Sequence, residues 1–400
     1  MEKAVSFSSD DLIINANSKR LKYEEQGRAT KSIHWGQRKL LISEIEFFTL
    51  YLDKSIKDPL CVYVGAACGS HIPILSNMFP SLRFHLYDPN KFTIVETDRI
   101  KIYDDYFTDK IAKTYAGRNN VFFISDIRTV DSKENVKKAL EEVGITKYDR
   151  NGKPEGPYDL IKKAKTKSTE MNEAGIWEDM EVQQNWVLTI NPVHALLKFR
   201  LPWPQEYVDE EPVDRTVSYL KGTLFWQPWV GQNSTETRLK PVKNSKGKYE
   251  KADWSIVEYE QWCAFHNKID RGEIIYRNIF TDTVEPILFP ELLNDYDSVA
   301  EAYLLKMYFN SIGVKDINKI IQFSQIITFS LSGCGDKSIK SLAEARGTAP
   351  TVDPFKKKEA PKKLLLTAPS KIPIKSKTLL APPKTQKSTT PFPRVTIAKK

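Results

Sequence analysis

Four ionisable residues stand where separate predicted elements begin or end: Lys39, Asp126, Lys198 and Glu236. A lysine held between two carboxylates can be oriented and partly desolvated, so that its amine loses a proton and acts as a general base. Each of the four, taken alone, is more often a solvated surface charge. Because a cofactor-type turn occurs in the same sequence, their combination favours a site for proton transfer.

That turn lies within residues 60–91, where a buried strand, a glycine turn, a short helix, a second strand and an acid follow one another. In chain order these parts are Leu60–Val64, Gly65 and Gly69, Ile72–Met78, Arg83–Tyr87 and Asp88. In nucleotide-type sites the turn contacts the ligand, and the acid accepts hydrogen bonds from ribose hydroxyls. The glycine spacing is not that of the dinucleotide fingerprint GxGxxG, which disfavours NAD. A carboxylate 19 residues after Gly69 suits the adenosine ribose of S-adenosylmethionine, although a structural role for the turn alone stays open.

The remaining predicted elements must position the four ionisable residues. They are a helix over residues 40–52, strands over Ile100–Tyr103 and 121–128, a helix and then a strand over 180–197, strands over 222–229 and 234–239, and helices over 259–269 and 300–323. Asp126 follows the apolar part of its strand, at the carboxyl end where ligands bind in open α/β sheets. Lys39 lies at the first turn of its helix, an unfavourable place for a cation beside the helix dipole. Residues 131–175 contain no apolar strand and are predicted to be a helical or mobile insertion.

Composition narrows the class of protein. The chain has 400 residues and 40% hydrophobic content, enough for a sizeable core. The cysteines, which show no CxxC spacing, are Cys61, Cys68, Cys263 and Cys334. They therefore indicate neither a zinc site nor a disulfide framework. With no signal-type segment and no apolar run long enough to span a bilayer, the sequence predicts a soluble intracellular protein without a membrane partner.

The net charge of +9 is unevenly distributed. Residues 351–400 hold 13 Lys and Arg against 2 Asp and Glu, a net of +11, which leaves −2 for residues 1–350. This segment also has 8 of the 23 prolines, so we expect it to be disordered and either to bind RNA or a partner or to be merely solvated. The predicted organisation is an N-terminal arm over residues 1–30, a catalytic domain over 31–330 and a basic Pro- and Lys-rich tail over 331–400.

The sequence resembles a poxvirus family, the cap-specific mRNA (nucleoside-2′-O-)-methyltransferases, which double as the small regulatory subunit of poly(A) polymerase. The matching fragments are Leu-Lys-Tyr23-Glu, Gly36-Gln37-x-Lys39-Leu-Leu, Val62-Tyr63-x-Gly65-x-Ala67-x-Gly69-x-His71-Ile, Ile124-Ser125-Asp126-x-Arg128, Asn191-Pro192-Val, Leu197-Lys198-x-Arg200-x-Pro202-Trp203-Pro204, Glu236-x-Arg238-Leu and Tyr259-Glu260. Many ordered fragments around a Lys-Asp-Lys-Glu tetrad make the resemblance specific. It implies a Rossmann-like, S-adenosylmethionine-dependent methyltransferase domain.

The resemblance also implies a reaction. Lys198 would deprotonate the ribose 2′-hydroxyl of the first transcribed nucleotide of 7-methylguanosine-capped mRNA, and the oxygen would attack the methyl of S-adenosylmethionine in line. Asp126 and Glu236 would orient that lysine, and Lys39 would complete the tetrad. No metal is required, because the sulfonium is already an activated donor.

Binding residues follow from the same resemblance. Those implied to contact the cofactor are Gln37, Tyr63, Gly65, Gly69, Asp88, Asn90, Tyr103 and Asp126. Those implied to contact the capped RNA are Tyr23 and Trp203, which would sandwich the methylated guanine, Glu260 and Gln205 near that base, and Arg200 and Arg238 on the backbone. The chain departs from the family at Cys68, where the family has proline, and at Pro89-Asn90, where it has a Gly-Arg pair that Asn90 or Lys91 would replace. Gln205 likewise stands where the family has an acid.

These departures indicate a distant relative from another large DNA virus, acting in the cytoplasmic viral factory of the host cell or in the virion. The implied partners are capped mRNA and a poly(A) polymerase catalytic subunit. Two other classes stay open. One is a non-catalytic RNA-binding processivity subunit of a viral poly(A) polymerase, against which the intact tetrad argues. The other is a ribosomal-RNA 2′-O-methyltransferase, in which Tyr23, Trp203 and Glu260 would have no purpose.

Overall fold

The structure is a computed structural model that describes residues 4–15, 17–22, 34–204, 207–208, 211–280 and 294–331. The strands are β1 Ile13–Ile14, β2 Leu60–Val64, β3 Arg83–Tyr87, β4 Ile100–Tyr103, β5 Val121–Ser125, β6 Lys147–Tyr148, β7 Pro154–Glu155, β8 His194–Phe199, β9 Tyr207–Val208, β10 Glu211–Pro212, β11 Thr216–Leu220, β12 Gly222–Phe225, β13 Thr237–Pro241 and β14 Lys251–Ser255. The α-helices are α1 Gly36–Tyr51, α2 Ile72–Met78, α3 Asp109–Tyr115, α4 Ser132–Glu142, α5 Tyr158–Ile190, α6 Ile256–Phe265, α7 Tyr296–Ser311 and α8 Ile317–Leu331. A 3-10 turn spans Ser9–Leu12, and a π-helical turn, His266–Asp270, follows α6.

One eight-stranded sheet organises the described part of the chain, in the order β1-β12-β13-β8-β5-β2-β3-β4. The five strands from β8 to β4 are parallel, and the remaining three add to the β8 side in antiparallel fashion. The expectation of an α/β fold with a largely parallel sheet is confirmed, and this order is compatible with a Rossmann-like fold. The carboxyl ends of the parallel strands share one edge, where ligands bind in such sheets.

The central strands form where the sequence has short apolar runs. Both β2 and β5 are buried along their whole length, because helices cover both faces of the sheet. The predicted bounds of β2, α2, β3 and β4 agree with the structure. The segment 180–197 also behaves as expected, since α5 ends at Ile190 and β8 begins after Pro192.

Helix α1 begins four residues before the predicted segment 40–52. The first turn of α1 has no apolar residues, but its charged side chains are buried because they form ion pairs inside the protein. Arg38 donates two hydrogen bonds of 2.6 Å to the carboxylate of Glu301 in α7. Because both partners are almost fully buried, this pair replaces the apolar contacts that periodicity would have detected.

Residues 131–175 are largely helical, which agrees with the helical form of their prediction. They contain α4, the two-stranded β6–β7 sheet and the first half of the long helix α5. The single helix predicted over 300–323 is two helices, α7 and α8, because Gly313 adopts a left-handed conformation (φ +78°) between them. Within the described ranges, no helix has the length and apolar character needed to cross a membrane.

Candidate catalytic site

The sheet brings the four predicted ionisable residues together at the carboxyl end of β5. Asp126 directly follows β5, and Lys198 lies in the neighbouring strand β8. Glu236 directly precedes β13, the strand that pairs with β8 on its other side. Lys39 reaches the same point from the first turns of α1. Three adjacent strands and one helix therefore supply one residue each.

The tetrad is a compact network of ion pairs. The Nζ atom of Lys198 lies 3.2 Å from Asp126 Oδ1 and 3.5 Å from Glu236 Oε2. Lys39 donates a hydrogen bond to the other oxygen of Glu236. All four side chains are largely buried, so solvent screens these interactions only weakly. The amine of Lys198 is thus held between two carboxylates, as the sequence predicted for a general base.

A fifth charge completes the network. Arg238 lies opposite Lys198 in the β13–β8 ladder, and its Nη2 donates a 2.7 Å hydrogen bond to Asp126 Oδ1. Its side chain is only 2% exposed. The resemblance assigned this residue to the RNA backbone, but the guanidinium is buried behind the tetrad, where it does not face a phosphate.

Charge compensation fixes the ionisation of the two carboxylates. Burial by itself would raise the pKa of Asp126, but three neighbouring cations, first Lys198, outweigh burial and hold the pKa below its usual value. Burial acts likewise on Glu236, and the cations, first Lys39, hold its pKa well below the usual range. Both carboxylates are therefore ionised at neutral pH. For Lys39, burial outweighs the attraction of Glu236 and lowers the pKa.

Arg128 connects the tetrad to solvent. Its Nη2 donates a 3.1 Å hydrogen bond to Glu236 Oε2, and half of its side chain is exposed. It lies two residues beyond Asp126, at the sheet edge that holds the site. This arginine belongs to the fragment Ile124-Ser125-Asp126-x-Arg128 that matches the family, but the resemblance implied no role for it.

The glycine turn lies directly against the tetrad. Gly65 has φ +77° and follows β2, and a Cβ atom there would lie 2.7 Å from the carbonyl carbon of Asp126. Glycine is needed because the turn crosses the end of β5 at this short distance. At Gly69, with φ +74°, a Cβ would meet the ring of Phe92 at 3.1 Å. Both glycines therefore let the turn pack closely on the protein itself.

Asp88 stabilises the same turn. Its Oδ2 accepts a 3.0 Å hydrogen bond from the amide of Ala67, and its Oδ1 accepts hydrogen bonds from the backbone and side-chain nitrogens of Asn90 at 2.8 and 2.9 Å. An ionised carboxylate has about four acceptor positions. One position on Oδ2 is thus left for a ligand hydroxyl. The side chain of Asn90, which was also predicted to contact the cofactor, donates its hydrogen bond to Asp88 in this structure.

The other predicted cofactor residues differ in accessibility. Gln37 lies in α1, and its Oε1 accepts a 3.0 Å hydrogen bond from Ser70 in the glycine turn. Tyr103 ends β4 with an exposed ring that stacks on Tyr87 at a centroid distance of 4.4 Å. Tyr63 is fully buried in β2, and its hydroxyl donates to Glu44. A cofactor contact by the ring of Tyr63 is therefore not available in this structure.

The predicted cap-binding residues are described only in part. Tyr23 and Gln205 lie outside the described residues. Trp203 is partly buried, and its backbone nitrogen donates a 3.0 Å hydrogen bond to Glu173 in α5. The other oxygen of Glu173 accepts a 2.6 Å hydrogen bond from Arg200. Arg200, predicted to hold RNA, is thus paired with a carboxylate that the sequence analysis did not single out.

Glu260 lies near the N-terminal arm. Burial raises its pKa to about 7, and within the described ranges it forms no hydrogen bond or ion pair. It is carried by α6, to which Leu21 donates a backbone hydrogen bond at the carbonyl of Gln261 (3.1 Å). Leu21 stands two residues before Tyr23, so the described part of the arm runs toward the helix of Glu260.

Across the residues described here, no group of three His, Cys, Asp or Glu side chains is placed to hold a metal ion.

Comparison with known proteins identifies the family. The sequence model of the family described as "Poly A polymerase regulatory subunit" matches residues 1–148 and 157–331. The chain belongs to this family. The match includes most of the predicted insertion at 131–175 and omits only residues 149–156, around the β6–β7 turn. That insertion is therefore largely part of the family's own sequence.

Individual relatives are distant. The cap-specific mRNA (nucleoside-2′-O-)-methyltransferase of fowlpox virus (strain NVSL) is 25% identical over 228 residues, which are 54% of this chain and 60% of the relative. Proteins of the same name from myxoma virus (strains Lausanne and Uriarra) are 24% identical over 307 residues, 74% of this chain and 75% of each relative. The match to the fowlpox protein thus spans less than two thirds of that protein. The suspected resemblance is confirmed at the level of the family.

Proposed function

We propose that this protein methylates the ribose 2′-hydroxyl of the first transcribed nucleotide of 7-methylguanosine-capped mRNA, with S-adenosylmethionine as methyl donor. The observation that carries the proposal is the position of Lys198, whose amine lies 3.2 and 3.5 Å from two carboxylates at the carboxyl edge of the sheet. The names of the fowlpox and myxoma relatives support the same activity.

The residues beside the tetrad fit the proposed methyl donor. Asp88 keeps an acceptor position for a ribose hydroxyl, and the exposed ring of Tyr103 offers a flat face for a purine. Gln37 accepts a hydrogen bond from Ser70 of the glycine turn, and Gly65 of the same turn lies against the backbone of Asp126. When bound, S-adenosylmethionine supplies a methyl group that its sulfonium has already activated, and the chain has to supply only orientation and a base.

Each charged residue of the network has a part in that task. As the general base, the amine of Lys198 accepts the proton of the 2′-hydroxyl, and the two carboxylates beside it stabilise the ammonium that forms. Asp126 and Glu236 also fix the direction of the amine. Arg238 and Lys39 hold these carboxylates in place from the buried side, so they act as positioning residues.

We assign recognition of the cap to the surface formed by the N-terminal arm, the loop after β8 and helix α6. Trp203 would stack on the methylated guanine together with Tyr23, because a delocalised positive charge between aromatic faces gains stacking and cation–π energy. Glu260 would accept hydrogen bonds from the guanine edge, and the positive charge of that base would favour the ionised carboxylate. Glu173 holds the backbone of Trp203 in place.

A second role is supported by the description of the family. A regulatory subunit of poly(A) polymerase implies a catalytic subunit as partner. We propose that the chain also binds such a subunit, with the two roles on separate surfaces. Stimulation of a cognate polymerase by a Lys198→Ala variant would show that this role does not need methyl transfer.

The experiment that tests the enzyme is methyl transfer from labelled S-adenosylmethionine to capped and uncapped RNA. Wild-type protein should methylate only capped RNA, and Lys198→Ala should lose about 10²–10⁴-fold in turnover while its affinity for S-adenosylmethionine is unchanged. Lys251→Ala, in an exposed position of β14, is the matched control and should behave as wild type. Near-normal turnover by Lys198→Ala would refute the assignment, and equal methylation of uncapped RNA would favour the ribosomal-RNA alternative.

A further inference from the structure

His71 belongs to a fragment that matches the family, yet it has no part in the proposed reaction. It stands between the glycine turn and α2, and its side chain is fully buried. The imidazole contacts two side chains of α1. Its Nδ1 lies 2.8 Å from Gln37 Oε1, and its Nε2 lies 3.1 and 3.3 Å from the two carboxylate oxygens of Glu44. Because Gln37 and Glu44 are two helical turns apart, they share one face of α1, and the ring joins that face to the glycine turn.

The two partners determine where the ring carries its protons. The amide oxygen of Gln37 can only accept, so Nδ1 of His71 must be the donor in this contact. On the other side of the ring, Nε2 donates to an ionised Glu44 or accepts from a protonated one, and either arrangement leaves the proton on Nδ1. The hydroxyl of Tyr63 donates a 2.7 Å hydrogen bond to Glu44 Oε1. The carboxyl group is thus fixed, and it holds the imidazole in one orientation.

This arrangement selects one of the two orientations of the Gln37 amide. Its oxygen accepts hydrogen bonds from His71 and from the hydroxyl of Ser70. Its nitrogen donates to no residue that the structure describes, and the side chain is partly exposed. A carboxamide offers an acceptor on one side and donors on the other. Since both protein donors meet the oxygen, Gln37 presents its N–H group to a ligand.

The simplest alternative is structural. A buried pair of His71 and Glu44 would attach the glycine turn to α1 by packing alone. That alternative accounts for the burial of both residues, but it gives no purpose to the partly exposed amide nitrogen of Gln37. An anionic acceptor suits this place, because the first turn of α1 contains no acidic residue and the helix dipole favours negative charge there. The one carboxylate of S-adenosylmethionine belongs to its methionine part.

We propose that His71, held in place by Glu44, is a positioning residue for the methyl donor. It orients the amide of Gln37 so that the amide nitrogen donates a hydrogen bond to the methionine carboxylate of S-adenosylmethionine. The choice of this ligand rests on the proposed function. Because His71 is fully buried, it acts on the ligand only through Gln37, and it serves selection of the carboxylate and not proton transfer at Lys198.

The first test compares two ligands on the full chain in the absence of RNA. They are S-adenosylmethionine and its decarboxylated form, and the ratio of their affinities, measured by calorimetry, reports the preference for the carboxylate. His71→Leu should lower this ratio about two- to tenfold, which is the fold-change that corresponds to one neutral hydrogen bond. His71→Asn loses the same ring and the same contact to Glu44, but its amide can donate near the position of Nδ1. This variant should keep most of the wild-type ratio.

A purely structural role predicts a different result. Both variants would then weaken the two ligands equally, and an unchanged ratio in His71→Leu would overturn the proposal. Gln37→Leu should also lower the ratio, and adding His71→Leu to it should lower the ratio no further, because one residue acts through the other. The control is His194→Leu, at a partly buried histidine that begins β8, and it should keep the wild-type ratio. Wild-type protein that bound neither ligand would refute the proposed methyl donor as well.

A second test does not depend on how a variant folds. In isotope-labelled wild-type protein, nuclear magnetic resonance should show a proton on Nδ1 of His71. Addition of S-adenosylmethionine should shift the side-chain amide signals of Gln37, which are identified by their absence in Gln37→Leu, whereas the decarboxylated ligand should shift them much less. An Nδ1 without a proton would mean that His71 accepts from Gln37 and that the amide oxygen faces the ligand. That result would refute the proposal even if S-adenosylmethionine binds.

Discussion

Glu46 in α1 is a buried carboxylate without a hydrogen bond or ion pair to any residue that the structure describes, and burial raises its pKa to about 8. In an unfolded chain the pKa of glutamate is about 4.3. Between these two values the folded protein binds a proton that the unfolded chain does not. Stability therefore falls as pH rises through this window, by at most about 1.4 kcal/mol per pH unit.

Replacing this carboxyl group should remove the pH-dependent penalty. We expect Glu46→Gln to be more stable than wild type near pH 8, with an advantage that shrinks as the pH is lowered toward about 4.3. Denaturant unfolding at several pH values measures it. Glu170→Gln, an exposed position of α5, should show no such trend. A stability difference that is constant with pH would mean that Glu46 is ionised in the folded protein.

The sequence could locate the tetrad but not the full network around it. Lys39, Asp126, Lys198 and Glu236 each end or begin an element, and the order of the strands brings them together. Arg238 was assigned to the RNA backbone from the family resemblance alone. A period-two argument would have placed it with Glu236, since residues two apart in a strand share a face. Its burial depends on α1, which no local pattern reveals.

Helix α5 supports the loop after β8. Glu173 lies in this 33-residue helix and binds both Arg200 and the backbone of Trp203. Because its carboxylate is largely buried, its removal would leave the guanidinium of Arg200 without its partner and free the loop of Trp203. The helix thus determines the position of an aromatic ring that we assign to the cap.

We expect Glu173→Ala to reduce the preference for capped over uncapped RNA. The loss of binding free energy should not exceed the ~1–3 kcal/mol that stacking of one base contributes. The reason is that the variant acts through Trp203. A double-mutant cycle with Trp203→Ala should therefore show strong coupling, the double variant being no worse than Trp203→Ala alone. Glu170→Ala, one turn earlier on the same helix, is the control. Additive losses would show that Glu173 does not act through this loop.

Elements that contain a continuous run of apolar residues were predictable from the sequence. Elements whose burial depends on ion pairs between distant residues were not. The strands β2 to β5 follow from short apolar runs, and glycines and prolines mark their ends. The start of α1 depends on Arg38 and Glu301, which are 263 residues apart in the sequence. The first half of α5 is polar on most of its surface, so the residues that pack it against the loop after β8 give no periodic signal.

The distribution of charge over the whole chain separates two segments. Residues 351–400 carry a net +11, and residues 1–350 carry −2. The family match ends at residue 331, so the basic segment lies outside the part of the chain that the family model matches. It lies outside the described residues, and the expectation that it is disordered stays a prediction from composition.

Deleting residues 351–400 should separate RNA retention from catalysis. Lysines spaced by proline, serine and threonine release counterions when they meet phosphates, and that contribution falls steeply with salt. We expect the truncated protein to bind long RNA more weakly and with a shallower salt slope, while it methylates a short capped oligonucleotide at the wild-type rate. The control is a chain of full length in which the order of residues 351–400 is scrambled. Because only the charge should matter, this variant should bind as wild type does. Unchanged affinity and slope after truncation would leave the segment without an RNA role, and loss of activity on the short substrate would make it part of the folded enzyme.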